Sequence, residues 1–466
     1  MRRRVVGIET EYGLTCATRS GAPPIHDADA AARLLFAPLA LSGRAPNVYL
    51  RNGGRLYLDV GAHPEYATAE CDSFEDLLAQ HRCGDELLNQ LNDRTRAELE
   101  GLADPERIYL FRNNVDSAGN SFGCHENYLL HRRRDFRQVA QGLVAFFVTR
   151  LVLVGAGHLR RSGNKLSYCF SQRAEQMWEA VSSATTRTRP IINTRDEPLA
   201  DAGQYRRLHV ISGDTNVCEA TTFLKVGMTS LVLDAVEDGM NLSDLELADP
   251  ILAIRQVNQD LSAQVKIPMT HGGELSALDI QERILQRVVD VLGIDINDSS
   301  CDASTRQVID LWRRALAALR SGDWSSVDRE LDFAIKFRLI QEYLKRKQTT
   351  LDDPRVARLL LSYHDIGPNG LRRGLESSGL MRRLTTEEQV QQACIQAPRS
   401  TRAHLRSSII NAAETAGIEL AIDWVRASRI DDPGRYVLMN DPFATESESV
   451  DQFISGLRAR DEFLPA

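Results

Sequence analysis

The stretch GRLYLDVGAHPEYATAECD, residues 54–72, constrains the fold of this chain more than any other segment. Polar and apolar residues alternate along its first half, and successive side chains of a β-strand point to opposite faces. The segment therefore predicts a strand with one polar and one apolar face. The polar face would carry Arg55, Tyr57 and Asp59, and the apolar face Leu56, Leu58 and Val60.

A strand face with a guanidinium, a phenol and a carboxylate has two interpretations. It is typical of an edge strand with a surface ion pair, and equally of a platform that binds phosphate and magnesium. Arginine binds phosphate through two parallel hydrogen bonds, and carboxylates bind Mg²⁺. In the second interpretation Asp59 accepts a proton from an incoming nucleophile. The residues alone leave both interpretations open.

The segment RRVVGIETEYGLTCA, residues 3–17, is rich in β-branched residues and predicts another strand. Glu9 and Glu11 lie two residues apart in it, so their carboxylates share one face and repel each other unless a cation or an arginine neutralises them. A solvated strand face is the alternative. Glu65 and Thr68, just beyond the first strand, add polar groups that favour the magnesium and phosphate platform.

The segment DSAGNSFGCHENYLLH, residues 116–131, contains two motifs that fail in their context. Its G-x-S-x-G would be a nucleophile elbow only between a strand and a helix, whereas here a loop connects two predicted strands. Its His125-Glu126 pair has no histidine at position 129, so the zinc-protease spacing H-E-x-x-H is absent. His125 and Asn127 are either polar loop residues or contacts to a nucleotide or metal.

A group of basic residues further along the chain can bind phosphate or an acidic peptide end. The sequence has neither G-x-x-x-x-G-K-[ST] nor G-x-G-x-x-G, so a nucleotide would bind without a P-loop or a dinucleotide fingerprint. Trp424, in LAIDWVRAS, is either a core residue or a ring that stacks on adenine. The basic group consists of Arg187, Arg189, Arg195, Arg206, Arg207 and His209.

Charge and cysteine usage exclude several classes of protein. The net charge of −8 argues against general nucleic-acid binding, because nucleic-acid binders usually carry a basic excess. The eight cysteines form no C-x-x-C pair, which favours reduced thiols in the cytoplasm over disulfides or structural zinc. Residues 139–157 are the most apolar stretch, but they contain Arg150 and predict a buried helix rather than a membrane span.

The pattern of elements predicts an α+β fold. The first half is rich in strands, including a pair formed by residues 205–214 and 218–227. A polar joint at 396–407 indicates a first domain over 1–395 and a small C-terminal domain over 396–466. Helical periodicity predicts helices over 226–239, 274–293, 304–320 and 325–347.

Several long segments together resemble the family of Pup ligases and Pup deamidases, which is related to glutamine synthetase and glutamate–cysteine ligase among the carboxylate–amine ligases. The resemblance runs from residue 7 to residue 443. The segments that carry it are GIETEYG, NVYLRNGGRLYLDVGAHPEYATAECDS, NNVDSAGNSFGCHENYL, VSSATTRTRPIINTRDEPLADA, YRRLHVISGDTNVCE, and DWVRAS with DPF.

This resemblance implies a curved antiparallel β-sheet cradle packed against helices, with ATP in the cradle and a small C-terminal domain beside it. It implies that ATP with Mg²⁺ phosphorylates the γ-carboxylate of the C-terminal glutamate of Pup, a disordered acidic modifier. A lysine of a substrate protein would then attack and form an isopeptide bond that marks the substrate for proteasomal degradation.

The resemblance also implies a role for individual residues. A neutral phenol is a weak magnesium ligand, which favours an indirect role for the tyrosine in the metal set. The implied metal-binding residues are Glu9, Tyr57 and Glu65, the catalytic base is Asp59, the ATP contacts are Arg55, Thr68 and Trp424, and further residues facing the bound cofactor are His125, Arg195 and His209.

Three functions remain open within this family. The deamidases, which also remove Pup, carry a longer insertion between the Glu-x-Glu strand and the strand with the catalytic aspartate. The short interval here favours a ligase. A silent Pup-binding module would lack the ligands, whereas Glu9, Asp59 and Glu65 are all present. Candidates for a basic groove that binds acidic Pup are Arg206, Arg207, Arg372 and Arg373.

Overall fold

The computed structural model describes residues 1–41, 47–59, 61–116, 118–184 and 189–458. Its strands are β1 (Val6–Glu11), β2 (Gly13–Thr18), β3 (Asn47–Tyr49), β4 (Arg55–Leu58), β5 (Pro64–Ala67), β6 (Glu106–Phe111), β7 (Cys124–His131), β8 (His158–Ser162), β9 (Lys165–Cys169), β10 (Glu179–Ser182), β11 (Pro190–Asn193), β12 (Tyr205–Val210), β13 (Ile267–Pro268), β14 (Glu274–Leu275), β15 (Leu420–Ile422), β16 (Arg426–Arg429) and β17 (Tyr436–Leu438).

The helices occupy most of the second half of the chain. They are α1 (Ala28–Leu41), α2 (Phe74–Glu100), α3 (Phe136–Val154), α4 (Glu219–Glu237), α5 (Pro250–Gln259), α6 (Ala277–Leu292), α7 (Ala303–Ser321), α8 (Asp332–Lys347), α9 (Pro354–His364), α10 (Leu371–Ser377), α11 (Glu387–Ile395), α12 (Ala403–Thr415) and α13 (Glu448–Arg458).

The main sheet has eight strands in the order β10-β11-β12-β7-β1-β5-β4-β3. All neighbouring pairs are antiparallel except β10 with β11. The turn at Asn52-Gly53-Gly54 connects β3 to β4. The α+β architecture with an antiparallel-dominated sheet is therefore confirmed.

The two faces of this sheet differ in chemistry because its strands alternate polar and apolar residues. In β1, Val6 and Ile8 are buried in the core, while Glu9 lies on the other face. In β7, Tyr128 and Leu130 are buried in the same core. We call the side away from this core the open face of the sheet.

Helix α3 covers the apolar face together with α4, α6 and α7, and these helices form the largest hydrophobic core. Among the described residues, α3 alone is long and apolar enough to span a bilayer, yet 72% of its most apolar window is buried by the protein itself. A helix that is apolar on all sides and covered by protein is a core helix. The prediction of a buried helix in 139–157 is confirmed.

Of the smaller hydrophobic clusters among the described residues, two contain ten or more buried residues. Helices α1 and α2 pack with Leu56 and Tyr66 in a second cluster. Helix α2 begins after Ser73, whose hydroxyl accepts a hydrogen bond from the Asp76 backbone amide at 3.1 Å and caps the helix. Helices α12 and α13 pack on the small sheet β15-β16-β17 around a third cluster, so residues 403–458 have a core of their own.

The predicted strand over 218–227 is wrong, because α4 begins at Glu219. The β-branched residues Thr221, Thr222 and Val226 favour a strand locally. Tertiary contacts override this preference: α4 is buried along nearly its whole length, and the Asp332 carboxylate accepts hydrogen bonds from the backbone amides of Val217 and Cys218 just before its first turn. No local pattern predicts this contact, since the two segments are more than 110 residues apart.

A buried ion pair lies beneath the sheet, between β7 and α3. Arg150 donates two hydrogen bonds to the Glu126 carboxylate, at 2.9 and 2.6 Å, and both side chains are almost inaccessible to solvent. The Tyr128 hydroxyl donates a third hydrogen bond to the same carboxylate at 2.6 Å. This network explains the single arginine in the apolar stretch.

We predict that Arg150→Met lowers the free energy of unfolding by about 3–5 kcal/mol, because it leaves the Glu126 charge buried without its partner. Denaturant unfolding measures this loss. The double variant with Glu126→Gln should be less destabilised, since no carboxylate charge is then buried. Arg287→Met is the control, because it breaks an exposed pair with Asp244 and should cost less than about 1 kcal/mol. Equal losses in the buried and exposed pairs would contradict this account.

Candidate active site

The open face of the sheet gathers polar residues from strands that are far apart in sequence. Strand register does this: Glu9 lies opposite His125 on one side, and Glu11 lies opposite Glu65 on the other. Tyr57 in turn lies opposite Glu65. Because residues paired across a register point to the same face, these side chains meet above β1, β5 and β4.

The first group on this face, the Glu9 cluster, consists of Glu9, His125 and His209, whose ligand atoms lie within 4.8 Å of one another. The Glu9 carboxylate accepts hydrogen bonds from His125 Nδ1 and from Asn127 Nδ2, both at 3.1 Å. A guanidinium nitrogen of Arg207 lies 3.9 Å from the same carboxylate. Glu9 thus has neighbours that stabilise its charge.

Electrostatics within the Glu9 cluster favour an ionised Glu9 carboxylate and a neutral His209 imidazole. Burial alone would raise the pKa of Glu9, but the hydrogen bond from His125 and the nearby charges hold it well below its usual range. Burial lowers the pKa of His209 to about 3, and His125 and Arg207 add to this effect. Among the described residues, His209 Nε2 is buried without a hydrogen-bond partner, so the ring is available as a ligand.

The second group, the Asp59 cluster, consists of Glu11, Asp59 and Glu65, whose carboxylate oxygens also lie within 4.8 Å of one another. Asp59 follows β4 directly, at the start of the turn to β5. Its backbone amide donates to the carbonyl of His63 at 2.9 Å, and the His63 ring stacks on Phe122 at 4.5 Å. The turn that carries Asp59 is therefore fixed at both of its ends.

The Asp59 cluster is short of positive charge. Burial raises the pKa of Glu65 well above its usual range, and the carboxylates of Glu9, Glu11 and Asp59 raise it further. Burial and the carboxylates of Glu9 and Glu65 also raise the pKa of Tyr57, which is hydrogen-bonded to Glu65. Tyr57 is thus a neutral hydrogen-bond donor to Glu65. Three crowded carboxylates with this imbalance suit a divalent cation with oxygen ligands.

A close backbone approach separates the two clusters. A Cβ atom on Gly123 would lie 2.4 Å from His125 Nε2 and 2.7 Å from Glu11 Oε1, so any other residue there would displace these side chains. Buried Arg173 supports this segment by donating to Ser121 Oγ and to the Phe122 carbonyl, at 2.9 and 2.8 Å. The G-x-S-x-G motif thus forms a loop leading into β7, and its last glycine makes room for the carboxylates and the imidazole.

A cleft opens from the Glu9 cluster toward the C-terminal region. Glu9, Thr68 and Trp424 all line it. The Thr68 hydroxyl accepts a hydrogen bond from the Ile8 backbone amide at 3.1 Å, which holds it beside β1. The Trp424 ring packs edge-on against Tyr49, with the ring centres 5.2 Å apart. The cleft has an aromatic wall on one side and carboxylates at its floor.

Arg55 lies along the edge of the same face. Its Nε donates to Asn47 Oδ1 at 2.7 Å, and its guanidinium lies 4.3 Å from the centre of the Tyr57 ring and 5.6 Å from that of Tyr49. The other guanidinium nitrogens have no hydrogen-bond partner among the described residues, so they can bind an anion. Arg55 and Tyr57 thus share a face, as the alternation predicts.

Arg195 makes no direct contact with the Glu9 cluster or the Asp59 cluster among the described residues. Its side chain is 57% exposed, and its Nε lies 3.1 Å from a carboxylate oxygen of Glu197. Glu197 also pairs with Arg207, which in turn lies near Glu9. Arg195 therefore reaches the Glu9 cluster only through two further side chains. Val60 and Arg187 lie outside the described residues.

The four arginines named as candidates for binding Pup do not share a surface. Arg206 stacks over Phe136 at 3.9 Å, whereas Arg207 points to the open face. Arg372 is buried against the Asp85 carboxylate, and Arg373 is exposed. The grouping fails because adjacent strand residues point to opposite faces, and because Arg372 neutralises an internal carboxylate.

Two further arginines reach the cleft that the sequence motifs do not indicate. Arg402 lines it, and Arg406 lies over the Trp424 ring at 4.8 Å. Both contact the Glu70 carboxylate. The sequence indicates these two arginines only through their spacing of four residues, which places both on one face of a helix. This spacing lies in the segment 396–407, whose polar composition predicts a joint between domains.

We predict that Gly123→Ala weakens the binding of Mg²⁺ or Mn²⁺ by about tenfold or more, because the added methyl group displaces His125 and Glu11 from the two clusters. Metal titration measures the affinity. Gly374→Ala in α10 is the matched control, since its Cβ would meet no atom within 4 Å. Unchanged metal affinity in the Gly123 variant would refute this role for the close approach.

Comparison with known proteins identifies the family. The model of the Pup-ligase protein family matches residues 4–428. A Pup–protein ligase from Xylanimonas cellulosilytica is 49% identical over 463 residues, covering 98% of this chain and 100% of the relative.

Two solved structures match the fold over nearly the whole chain. The complex between the prokaryotic ubiquitin-like protein Pup and its ligase PafA has a TM-score of 0.90 and 40% sequence identity, and covers 98% of this chain and 92% of that chain. The Pup ligase PafA in complex with ADP has a TM-score of 0.83 and 40% identity, and covers 94% and 95%. By profile, sequence identity and fold, this chain belongs to the Pup-ligase protein family.

Proposed function

We propose that this protein is an ATP-dependent Pup–protein ligase. It would join the γ-carboxylate of the C-terminal glutamate of Pup to the ε-amine of a lysine on a substrate protein. The observation that carries this proposal is the convergence of the Asp59 cluster, the Glu9 cluster and the Trp424 cleft on one sheet face, in a chain of this family. Related PafA structures contain Pup in one case and ADP in the other.

The reaction begins with activation of a carboxylate, because a carboxylate is a poor electrophile toward an amine. An oxygen of the Pup glutamate attacks the γ-phosphorus of ATP, the bond to the β-phosphate oxygen breaks, and ADP leaves. The product is an acyl phosphate on Pup. Positive groups near the transferred phosphoryl group stabilise the charge of this step.

In the second step the lysine amine attacks the acyl carbon. The carbon–oxygen bond to phosphate breaks, inorganic phosphate leaves, and the isopeptide bond forms. The amine loses one proton, which Asp59 accepts as general base. Asp59 suits this role because it lies at the end of β4, in a turn held by His63, and its carboxylate lies within 4.8 Å of those of Glu11 and Glu65.

Glu9, Glu65 and Tyr57 would hold Mg²⁺, with Tyr57 acting through its hydrogen bond to Glu65 rather than as a strong ligand. Bound magnesium neutralises phosphate charge during the transfer. The excess of carboxylate over cationic groups supports this assignment. Arg55 and Thr68 would contact the phosphates and sugar, and Trp424 would stack on the adenine.

His125, His209 and Arg195 would complete the nucleotide surroundings. His209 presents a buried nitrogen without a partner among the described residues, and His125 fixes Glu9. Arg195 would contribute through Glu197 and Arg207, or directly once the nucleotide is bound. We also propose that residues 1–395 form the catalytic domain and residues 396–466 a small C-terminal domain.

The partners of this reaction are Pup and lysine-bearing substrate proteins, and the product would be marked for proteasomal degradation. The eight unpaired cysteines support a reducing compartment, and we propose the cytoplasm. The alternative activity is hydrolysis of the same bond by a deamidase or depupylase. The short interval between β1 and β4 and the ligase names of the relatives favour ligation.

A pair of reactions tests the function and the role of Asp59. The first contains the protein, Mg²⁺-ATP, Pup ending in glutamate and a lysine-bearing acceptor, and the second contains a preformed conjugate without acceptor. We expect conjugate only in the first. Asp59→Asn should lower the conjugation rate by about 10²–10⁴-fold, because a general base contributes about that much, with nucleotide affinity retained.

Each outcome of these reactions distinguishes the candidates. Release of Pup in the second reaction without joining in the first would establish the hydrolase instead. Pup binding without either reaction would establish a silent binding module. Full conjugation activity of Asp59→Asn would rule out Asp59 as the base.

We further predict that Glu9→Ala weakens Mg²⁺-dependent binding of ATP by about tenfold or more, because it removes the carboxylate at the centre of the Glu9 cluster. Calorimetric titration with ATP at increasing Mg²⁺ measures this effect. Glu197→Ala, at the exposed end of the arginine contacts, should have a much smaller effect. An unaltered magnesium dependence in the Glu9 variant would exclude Glu9 as a metal ligand.

A further inference from the structure

A second buried ion-pair network lies at the wall of the cleft. The Glu70 carboxylate accepts hydrogen bonds from Arg402 Nε at 2.8 Å and from Arg406 at 3.1 Å, with a further, shorter contact to Arg406. All three residues are buried, Arg406 completely. We call Glu70, Arg402 and Arg406 the Glu70 triad. It connects the main sheet to the first turns of α12.

Arg406 connects three separate segments through one guanidinium. It donates to the carbonyl of Gly53 at 2.8 Å, to the carbonyl of Trp424 at 3.2 Å, and to Glu70. The same guanidinium stacks over the Trp424 ring. Lysine has no planar fork and cannot make these contacts together. One side chain therefore fixes both the backbone and the ring of the tryptophan.

Gly53 is in the turn that connects β3 to β4, and β4 leads to Arg55 and Asp59. A Cβ on Gly53 would lie 3.1 Å from the Cβ of Ala403, so this turn packs tightly against the start of α12. Arg406 thus fixes the hairpin as well as the tryptophan.

Arg402 holds the far side of the cleft. It donates to the carbonyl of Met439 at 2.8 Å and also contacts the carbonyl of Leu199, which lines the cleft. The Thr401 hydroxyl donates to the Glu70 carbonyl at 2.7 Å. Burial alone would raise the pKa of Glu70, but Arg406 and Arg402 lower it to about 2, so the carboxylate stays charged.

The contacts of Arg406 are directed away from the hydrophobic core of residues 403–458, the part of the chain to which Arg406 belongs. That core is formed by Leu405 and Ile409 of α12 together with residues of the small sheet and α13. Apart from the Trp424 carbonyl and ring, the partners of Arg406 belong to the main sheet and its hairpin. Its contacts therefore position the cleft walls rather than build the fold of residues 403–458.

We propose that Arg406, held by Glu70, is a positioning residue for the nucleotide, because it sets the distance between the Trp424 ring on one wall and Thr68 on the other. This inference rests on the proposed function, since it assumes that the cleft holds ATP. Thr68 lies only two residues before Glu70, so one carboxylate orients both the strand extension with Thr68 and the arginine that supports Trp424.

The test uses the full-length protein and the variant Arg406→Met. Arg402 still neutralises Glu70 in this variant, so no carboxylate is left without a partner. We expect ADP affinity in the presence of Mg²⁺, measured by calorimetry, to fall about tenfold, the size of one lost charge-assisted hydrogen bond. The KM for ATP should rise similarly, with the KM for Pup changed less than about twofold.

Two further variants separate positioning from general destabilisation. Arg406→Lys keeps the charge without the fork, and we expect most of the loss of ADP affinity to persist. Arg372→Met is the matched control, because Asp85 is likewise buried between two arginines, Arg372 and Arg112, away from the cleft. It should lower the unfolding temperature as much as Arg406→Met does, with ADP affinity unchanged.

The outcomes separate this inference from the function on which it rests. Wild-type protein that binds no ADP would refute the proposed function, and the inference with it. Wild-type binding of ADP with equal affinity in Arg406→Met would overturn the inference alone. So would a loss that Arg372→Met reproduces, or one that affects the KM for ATP and for Pup equally.

Discussion

One electrostatic constraint dominates this structure: carboxylates from separate strands crowd onto a single sheet face with too few cationic groups among them. His125 and Arg207 stabilise the charge of Glu9, whereas Glu65 is held among other carboxylates and has a raised pKa. Crowded like charges destabilise an isolated fold. A divalent cation would relieve this repulsion, which supports the magnesium site proposed above.

The sequence predicts this constraint because strand alternation is a local property. The alternation in residues 55–59 and the Glu-x-Glu spacing at Glu9 and Glu11 correctly indicate which side chains share a face. What it does not predict is which carboxylates group together. Glu9 and Glu11 share a face, yet belong to different clusters, because Glu9 pairs across β7 and Glu11 pairs across β5. The order of the strands in the sheet determines which carboxylates lie together, and no single segment of the sequence predicts that order.

The remaining errors have the same origin in contacts between distant segments. The helix α4 was predicted in part as a strand, since its β-branched residues favour a strand until Asp332 and the surrounding helices are considered. The residues around Arg402 and Arg406 resemble a joint, although they form a buried network with Glu70 more than 330 residues earlier. Local chemistry thus identifies the floor of the site, whereas its walls depend on tertiary structure.

The pair of Glu126 and Arg150 has a consequence for strand alignment. Glu126 lies between His125 and Asn127, which both contact Glu9 on the other side of the sheet. A slip of β7 by one residue would turn Glu126 toward the carboxylates and bury His125 against α3. Arg150 donates two hydrogen bonds to the Glu126 carboxylate, so the ion pair stabilises the observed register of β7. The buried ion pair of Glu126 and Arg150 thus helps to keep His125 and Asn127 on the open face of the sheet.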